Sequence, residues 1–203
     1  MKKILISLGI FASLISVNAQ SVEKGNVIID GFYGFPNGTV TLLKAFAPAD
    51  VENTISGVGP FGGRVEFMLS EKVGLGVNLT YSNTKIEYSE TFFENDGNGG
   101  TIERTYDYKV SRPKIVGLAR FNFHFFTDEN VDAFFGVGAG YRTTTWKYET
   151  NDPSGFDEEL KGFNPIGFRL AVGSRYFFTD NIGANFEIGL GGPLLSLGAS
   201  VKF

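Results

Sequence analysis

An alternation of period two constrains this chain more than any other feature. In Val73–Tyr81 the odd positions carry Val, Leu, Val, Leu and Tyr, and the even ones Gly, Gly, Asn and Thr. Residues two apart share a face of a β-strand, so such a run is a strand with one apolar and one polar side. The pattern returns in Ala119–Phe125, Phe134–Arg142, Ile166–Tyr176, Ile182–Leu190 and Leu195–Phe203, and in noisier form in Val27–Phe35 and Phe61–Leu69. Period 3.6 is scarce. The chain reads as all-β, with eight antiparallel strands.

The connections alternate in length. Short polar turns are predicted at Ser70–Lys72, Thr127–Asn130 and Thr179–Asn181, and a short link at Gly191–Pro193; long loops are predicted over Pro36–Pro60, Ser89–Thr105 and Glu149–Lys161. Phe125-Phe126-Thr127-Asp128 recurs as Phe177-Phe178-Thr179-Asp180, an echo of one hairpin in another. This is the plan of an up-and-down barrel, with turns on one rim and loops on the other.

Volume decides which face is wet. Eight strands enclose a bore only just wide enough for side chains to fill. The apolar face is crowded with Phe, Leu, Ile, Val and Tyr and would overfill it, whereas the other face is rich in Gly, Ser, Asn and Ala with a few long charges. The apolar face therefore turns outward to lipid, where a midplane Arg or Lys would cost about 2–4 kcal/mol. Runs of about nine residues suit a tilted membrane-spanning strand, and a mean hydropathy of +0.00 follows because alternation averages out. Pro36, Pro60, Pro113, Pro153, Pro165 and Pro193 are expected in loops or at strand ends. Aromatic girdles are expected from Phe126, Phe177, Phe178 and Phe203 on the turn side and Tyr33, Tyr81, Tyr88, Tyr141, Trp146 and Tyr148 on the loop side.

The first residues read as an export signal: basic Lys2 and Lys3, an apolar stretch Ile4–Val17, and Val17-Asn18-Ala19 before a cut at Ala19/Gln20. The domain plan is thus a cleaved signal peptide over 1–19 and a barrel domain over 20–203. Removing two lysines takes the formal charge from −4 to −6, which leaves no basic footprint for nucleic acid. With no Cys and one His, a disulfide framework, a thiolate metal site and a multi-His metal site are excluded.

Together these features resemble the small eight-stranded outer-membrane barrels of Gram-negative bacteria, the OmpA/OmpX-like, porin-like family, over the whole of Gln20–Phe203. The ending Ser196-Leu197-Gly198-Ala199-Ser200-Val201-Lys202-Phe203 is similar to that family's barrel-assembly signal, with Gly198, Val201 and Phe203 in the marked positions. The Ala19-Gln20 junction and the Gly-Pro-Phe-Gly of the second strand are similar to Bacteroidetes members. The resemblance implies a multi-pass outer-membrane location, contact with outer-membrane lipid and lipopolysaccharide, and insertion by the barrel-assembly machinery.

Candidate chemistry lies in the bore. Asp30, Arg64, Glu66, Arg120, Arg169, Arg175, Glu187 and Lys202, with His124, fall on the polar face, and in so narrow a space they must pair. They form either a structural plug or a rearrangeable ion path. The lipid A deacylases of similar size use a His-x-Ser pair, but His124 is followed by Phe125 and Phe126, so no catalytic residue is assigned. Glu94–Gly100 departs from an EF-hand, whose twelfth position would be Thr105 and whose flanks would be helices. No metal or cofactor is expected. Val40–Phe46, inside the first long loop, is more apolar than a free loop; a helix, a strand at the membrane interface and a partner contact all fit it. The expected role is a non-enzymatic, side-chain-filled barrel acting in adhesion or surface contact through its exterior loops, the alternative being a small porin-like channel.

Overall fold

The computed structural model describes residues 21–47, 54–95, 97 and 100–203, so the signal peptide expected over 1–19 lies outside the described residues. The strands are β1 (Val27–Phe35), β2 (Ile55–Ser70), β3 (Val73–Asn95), β4 (Thr101–Thr127), β5 (Val131–Thr150), β6 (Glu158–Lys161), β7 (Ile166–Phe177), β8 (Ile182–Leu190) and β9 (Leu195–Lys202). A helix, α1 (Gly38–Phe46), follows β1.

Eight of these strands close a ring. They pair antiparallel in the order β4-β3-β2-β1-β9-β8-β7-β5, and a β4–β5 ladder shuts the circle. Closure leaves no unpaired edge within the bilayer, where backbone groups find no water. The seam is β1 on β9, where Ile29 faces Val201 and Phe32 faces Gly198. Gly198 is needed there because a side chain would strike the Gly31 carbonyl and Phe32 of the neighbouring strand. Burial alternates strictly along β1 and most of β7. Leu75, Val77, Leu79, Phe121, Phe123 and Phe125 all point outward, which makes the apolar face the lipid face.

The long loops hold more structure than their composition suggests. The span expected as a loop over Ser89–Thr105 is largely hairpin, with β3 and β4 paired from Val73↔Phe123 out to Asn95↔Thr101. Polar residues here alternate no less than apolar ones, but both faces meet water, so hydropathy carries no period. The fifteen residues from Tyr81 to Asn95 span roughly 45 Å of extended chain beyond the apolar belt. β5 runs on to Thr150 beside this hairpin, and β6 adds an outer strand at Thr145–Tyr148, within the expected loop Glu149–Lys161. Inside the expected loop Pro36–Pro60, α1 begins after Asn37, whose side chain accepts from the Val40 amide.

Two prolines fall inside strands rather than at their ends. Pro60 sits at a β-bulge of β2, between Val58 and Phe61. Pro113 sits in β4 where the ladder with β5 lapses between Ser111↔Lys147 and Lys114↔Thr144. Both are places where a missing N–H costs no ladder bond. Phe177 departs from the girdle expectation. It is 2% exposed and packs inward with Val22, Ile28 and Met68, forming an apolar floor at the turn-side end of the bore.

Candidate functional site: the ion-paired lumen and its outer mouth

Alternation on the ring turns every second side chain of each strand into the bore. Two ion-pair clusters fill it, one centred on a carboxylate and one on a guanidinium. In the outer one, Glu187 of β8 takes three arginines. Arg64 Nη1 donates to Oε2 at 2.5 Å, Arg120 Nη2 donates to the same oxygen, and Arg169 donates to Oε1 from Nε (2.9 Å) and Nη2 (2.7 Å). In the inner one, Arg175 of β7 takes three carboxylates: Asp30 (3.1 and 2.9 Å), Glu66 (2.7 Å) and Asp132 (2.9 Å). Arg64 joins the clusters, its Nε lying 3.1 Å from Asp30 Oδ2 as an ion pair without hydrogen-bond alignment.

Arg64, Arg120, Arg169 and Arg175 face Asp30, Glu66, Asp132 and Glu187, and all eight are buried. Amides and hydroxyls take further donors and acceptors of the network: Asn122 donates to Glu66 (2.7 Å), Ser200 to Asp30 (2.6 Å), and Asn185 accepts from Arg64 (2.8 Å). The Phe134 ring lies between Arg120 (5.6 Å) and Arg175 (4.6 Å), giving both guanidinium groups a cation–π contact.

His124 Nδ1 lies 2.6 Å from Asp132 Oδ1 and Nε2 lies 3.0 Å from Glu66 Oε1. With a carboxylate on each ring nitrogen, neither nitrogen is left to take a proton from a serine, as a Ser-His-acid relay needs.

Of the residues assigned from sequence, Asp30, Arg64, Glu66, Arg120, His124, Arg169, Arg175 and Glu187 meet in this network. Lys202 does not. It lies at the inner end, below the Arg175 cluster, where its Nζ donates to the Ser21 carbonyl at 2.7 Å and sits 5.0 Å from the Phe177 ring. Asp132 was absent from the sequence assignment although it is a central member. It continues the face of Phe134 and Gly136 by one step, and its closeness to the Thr127–Asn130 turn hid it. Gly198, Val201 and Phe203 lie on or next to the seam strand; the Phe203 amide donates to the Val27 carbonyl at 2.9 Å, and the Val27 amide returns a bond of 3.0 Å.

Above the Glu187 cluster the bore opens into a cavity of about 240 Å³. Its floor is Arg169 and Glu187, its walls include Asn78, Thr80, Ser82 and Lys114, and the first turn of α1 forms part of its rim.

The family model for the outer membrane protein beta-barrel domain matches residues 7–194. The chain belongs to that family. Its place is therefore the cell outer membrane, with the short turns inward and the longer loops outward, as such barrels are built. Two solved structures are similar. The N-terminal β-barrel domain of Pseudomonas aeruginosa OprF has 15% identity and a TM-score of 0.43, covering 90% of this chain and 100% of that one. Ail, the attachment invasion locus protein of Yersinia pestis, solved with the heparin analogue sucrose octasulfate, has 12% identity and a TM-score of 0.42, covering 89% and 99%. No curated protein matches the sequence significantly.

Proposed function

We propose that this protein is a plugged barrel, anchored in the outer membrane, whose work is done by the sheet and loops it holds outside. The observation that carries this reading is the bore itself: eight buried charges from β1, β2, β4, β5, β7 and β8 tie its walls together. Moving them apart would leave buried charges without partners, which is costly. The exterior, in contrast, presents a long extended sheet with exposed Phe92, Phe93, Phe156, Leu160 and Phe163, a surface suited to contact and adhesion. A catalytic role is not part of this reading, since both nitrogens of the single His are already engaged.

The runner-up is a channel for ions or small solutes. It is favoured by the outer cavity reaching down to Glu187 and by Arg120 Nη1, which is buried without a hydrogen-bond partner. Planar-bilayer conductance of refolded Gln20–Phe203, with folding checked by a cold-versus-boiled gel shift, separates the two. A folded, silent barrel is the expected result. Discrete steps that change in Arg120→Gln or Glu187→Gln would replace the plug with the channel.

Insertion through the barrel-assembly machinery, with Gly198, Val201 and Phe203 as the signal, belongs to the same proposal. Deleting Phe203 should leave the chain exported but poorly inserted, read as loss of the heat-modifiable band in outer-membrane fractions.

A further inference from the structure

The outer mouth of the bore carries a second set of charges that the plug does not use. Arg112 and Lys114 are two apart on β4 and so share its inward face. Arg142 of β5 faces Val116, while Lys114 faces Thr144, which makes Arg142 and Lys114 diagonal cross-strand neighbours, within reach of long side chains. Arg142 acts electrostatically on both of the others. Three cations are thus gathered at one place in a chain of net charge −4.

Their partners are neutral. Arg112 Nη1 donates to Thr39 Oγ1 at 3.0 Å and its guanidinium lies 5.1 Å from the Trp146 ring, while its Nε is buried without a partner. Arg142 donates to the Asn164 carbonyl. Among the described residues no carboxylate lies within 4.0 Å of any of the three. Like charges held together without a counter-ion repel, and an anion between them removes that repulsion.

A place for such an anion adjoins them. Lys114 lines the 240 Å³ cavity, and Thr39, the partner of Arg112, stands on its rim. Gly38 and Thr39 are the first residues of α1 and also line the cavity, so the positive end of the helix dipole lies at its edge. The one acid on the floor, Glu187, is already contacted by Arg64, Arg120 and Arg169. Polar recognition is available lower down. Asn78 is 5% exposed and its Oδ1 has no hydrogen-bond partner, although the residue lines the cavity with Thr80 and Ser82. An unpaired buried carbonyl is suited to accept an O–H. The volume equals roughly eight water molecules at ~30 Å³ each, smaller than the ~300 Å³ at which drug-sized pockets begin.

We infer that the outer vestibule is a binding site for a small, soluble, hydroxyl-bearing oxyanion, of the size and chemistry of a triose phosphate or glycerol phosphate. Arg112, Lys114 and Arg142 take the anionic group, and Asn78, Thr80 and Ser82 take the hydroxyls. Lipid headgroups are not the source, because the site is on the inner side of the ring and lipid meets only the outer side. The site is independent of whether the bore conducts.

Trp146, the single tryptophan, reports on Arg112 beside it. The refolded barrel in detergent would be titrated with glycerol phosphate, inorganic phosphate, glycerol, and chloride at matched ionic strength. Trp146 fluorescence and isothermal calorimetry would be followed in parallel. Saturable binding is expected for glycerol phosphate, weaker binding for inorganic phosphate, and none for glycerol or chloride. Arg112→Gln and Lys114→Gln should each weaken binding by about tenfold, the loss of roughly one charge-assisted hydrogen bond. Lys147→Gln, which removes an equal charge already paired with Glu159 at 3.1 Å, should change it less than about twofold. The variants are compared only when the gel shift shows a folded barrel, and Lys114→Gln carries the test if Arg112→Gln does not fold. An equal response to chloride, or unchanged binding in Lys114→Gln, would overturn the inference.

Discussion

The bore and the exterior sheet are built from the same β-strands, yet they handle charge in opposite ways. In the bore every acid lies between cations and nearly every donor has an acceptor, because nothing else can solvate it. Along the exterior parts of β3, β4 and β5, ion pairs such as Arg104–Glu94 (3.0 Å) and Lys109–Glu149 (2.6 Å) lie open to water. There the sheet is held by its ladder and by aromatic contacts, Tyr88 on Tyr108 at 5.2 Å and Tyr108 near Tyr148 at 6.3 Å. The same bond type is therefore structural in one region and nearly neutral in the other. Burial, not geometry, makes the difference.

The sharpest way to break this contrast is Glu187→Gln. It leaves three buried guanidinium groups short of a counter-charge and is expected to destabilise the folded barrel by about 3–5 kcal/mol, measured by urea unfolding in lipid vesicles. His124→Leu removes the ring contacts to Glu66 and Asp132, and a smaller loss of about 1–3 kcal/mol should follow in the same assay. Arg104→Ala, at an exposed pair, should fall within about 0.5 kcal/mol of the parent protein. A large effect there would put the exterior sheet under the rule of the bore.

The last prediction is a titration. Burial and the 3.1 Å bond to Asp152 push the Tyr108 phenol up to about 12. The fold therefore favours the neutral phenol. Its contribution is whole below the ordinary tyrosine value of about 10 and is lost as pH rises through about 12. Alkaline difference absorbance should show Tyr108 among the late-titrating tyrosines, with Tyr106 and Tyr148 also raised, and Asp152→Asn should bring the Tyr108 transition earlier.

Much of the ring could be read directly because one property, side-chain size, alternates with the pleat on nearly every spanning strand. The bore charges followed from the same parity: Arg120 and His124 share a face with Asn122, and Arg169 with Arg175. Parity failed where its signal fades. Asp132 lay too close to a turn, and Lys202, correctly facing inward, sat a layer too low to reach a carboxylate. The outer hairpin was invisible because water on both of its faces removes any reason for apolar and polar residues to alternate. Arg112, Lys114 and Arg142 were missed as a group since β4 was not expected to be a strand above Ala119. Their convergence depends on a register that composition does not carry.

The reach of the bore's ion pairs along the chain has a bearing on how the protein comes together in time. Arg64 and Glu187 are 123 residues apart, Arg175 and Glu66 are 109, and Arg175 and Asp30 are 145. Each costs loop-closure entropy before it returns anything, so none can guide the early zipping of neighbouring hairpins. They reward only the finished circle, when β9 has met β1. An open, partly paired sheet would hold unmatched arginines and carboxylates at once, and its final join should be an all-or-none event, with half-closed forms too short-lived to accumulate.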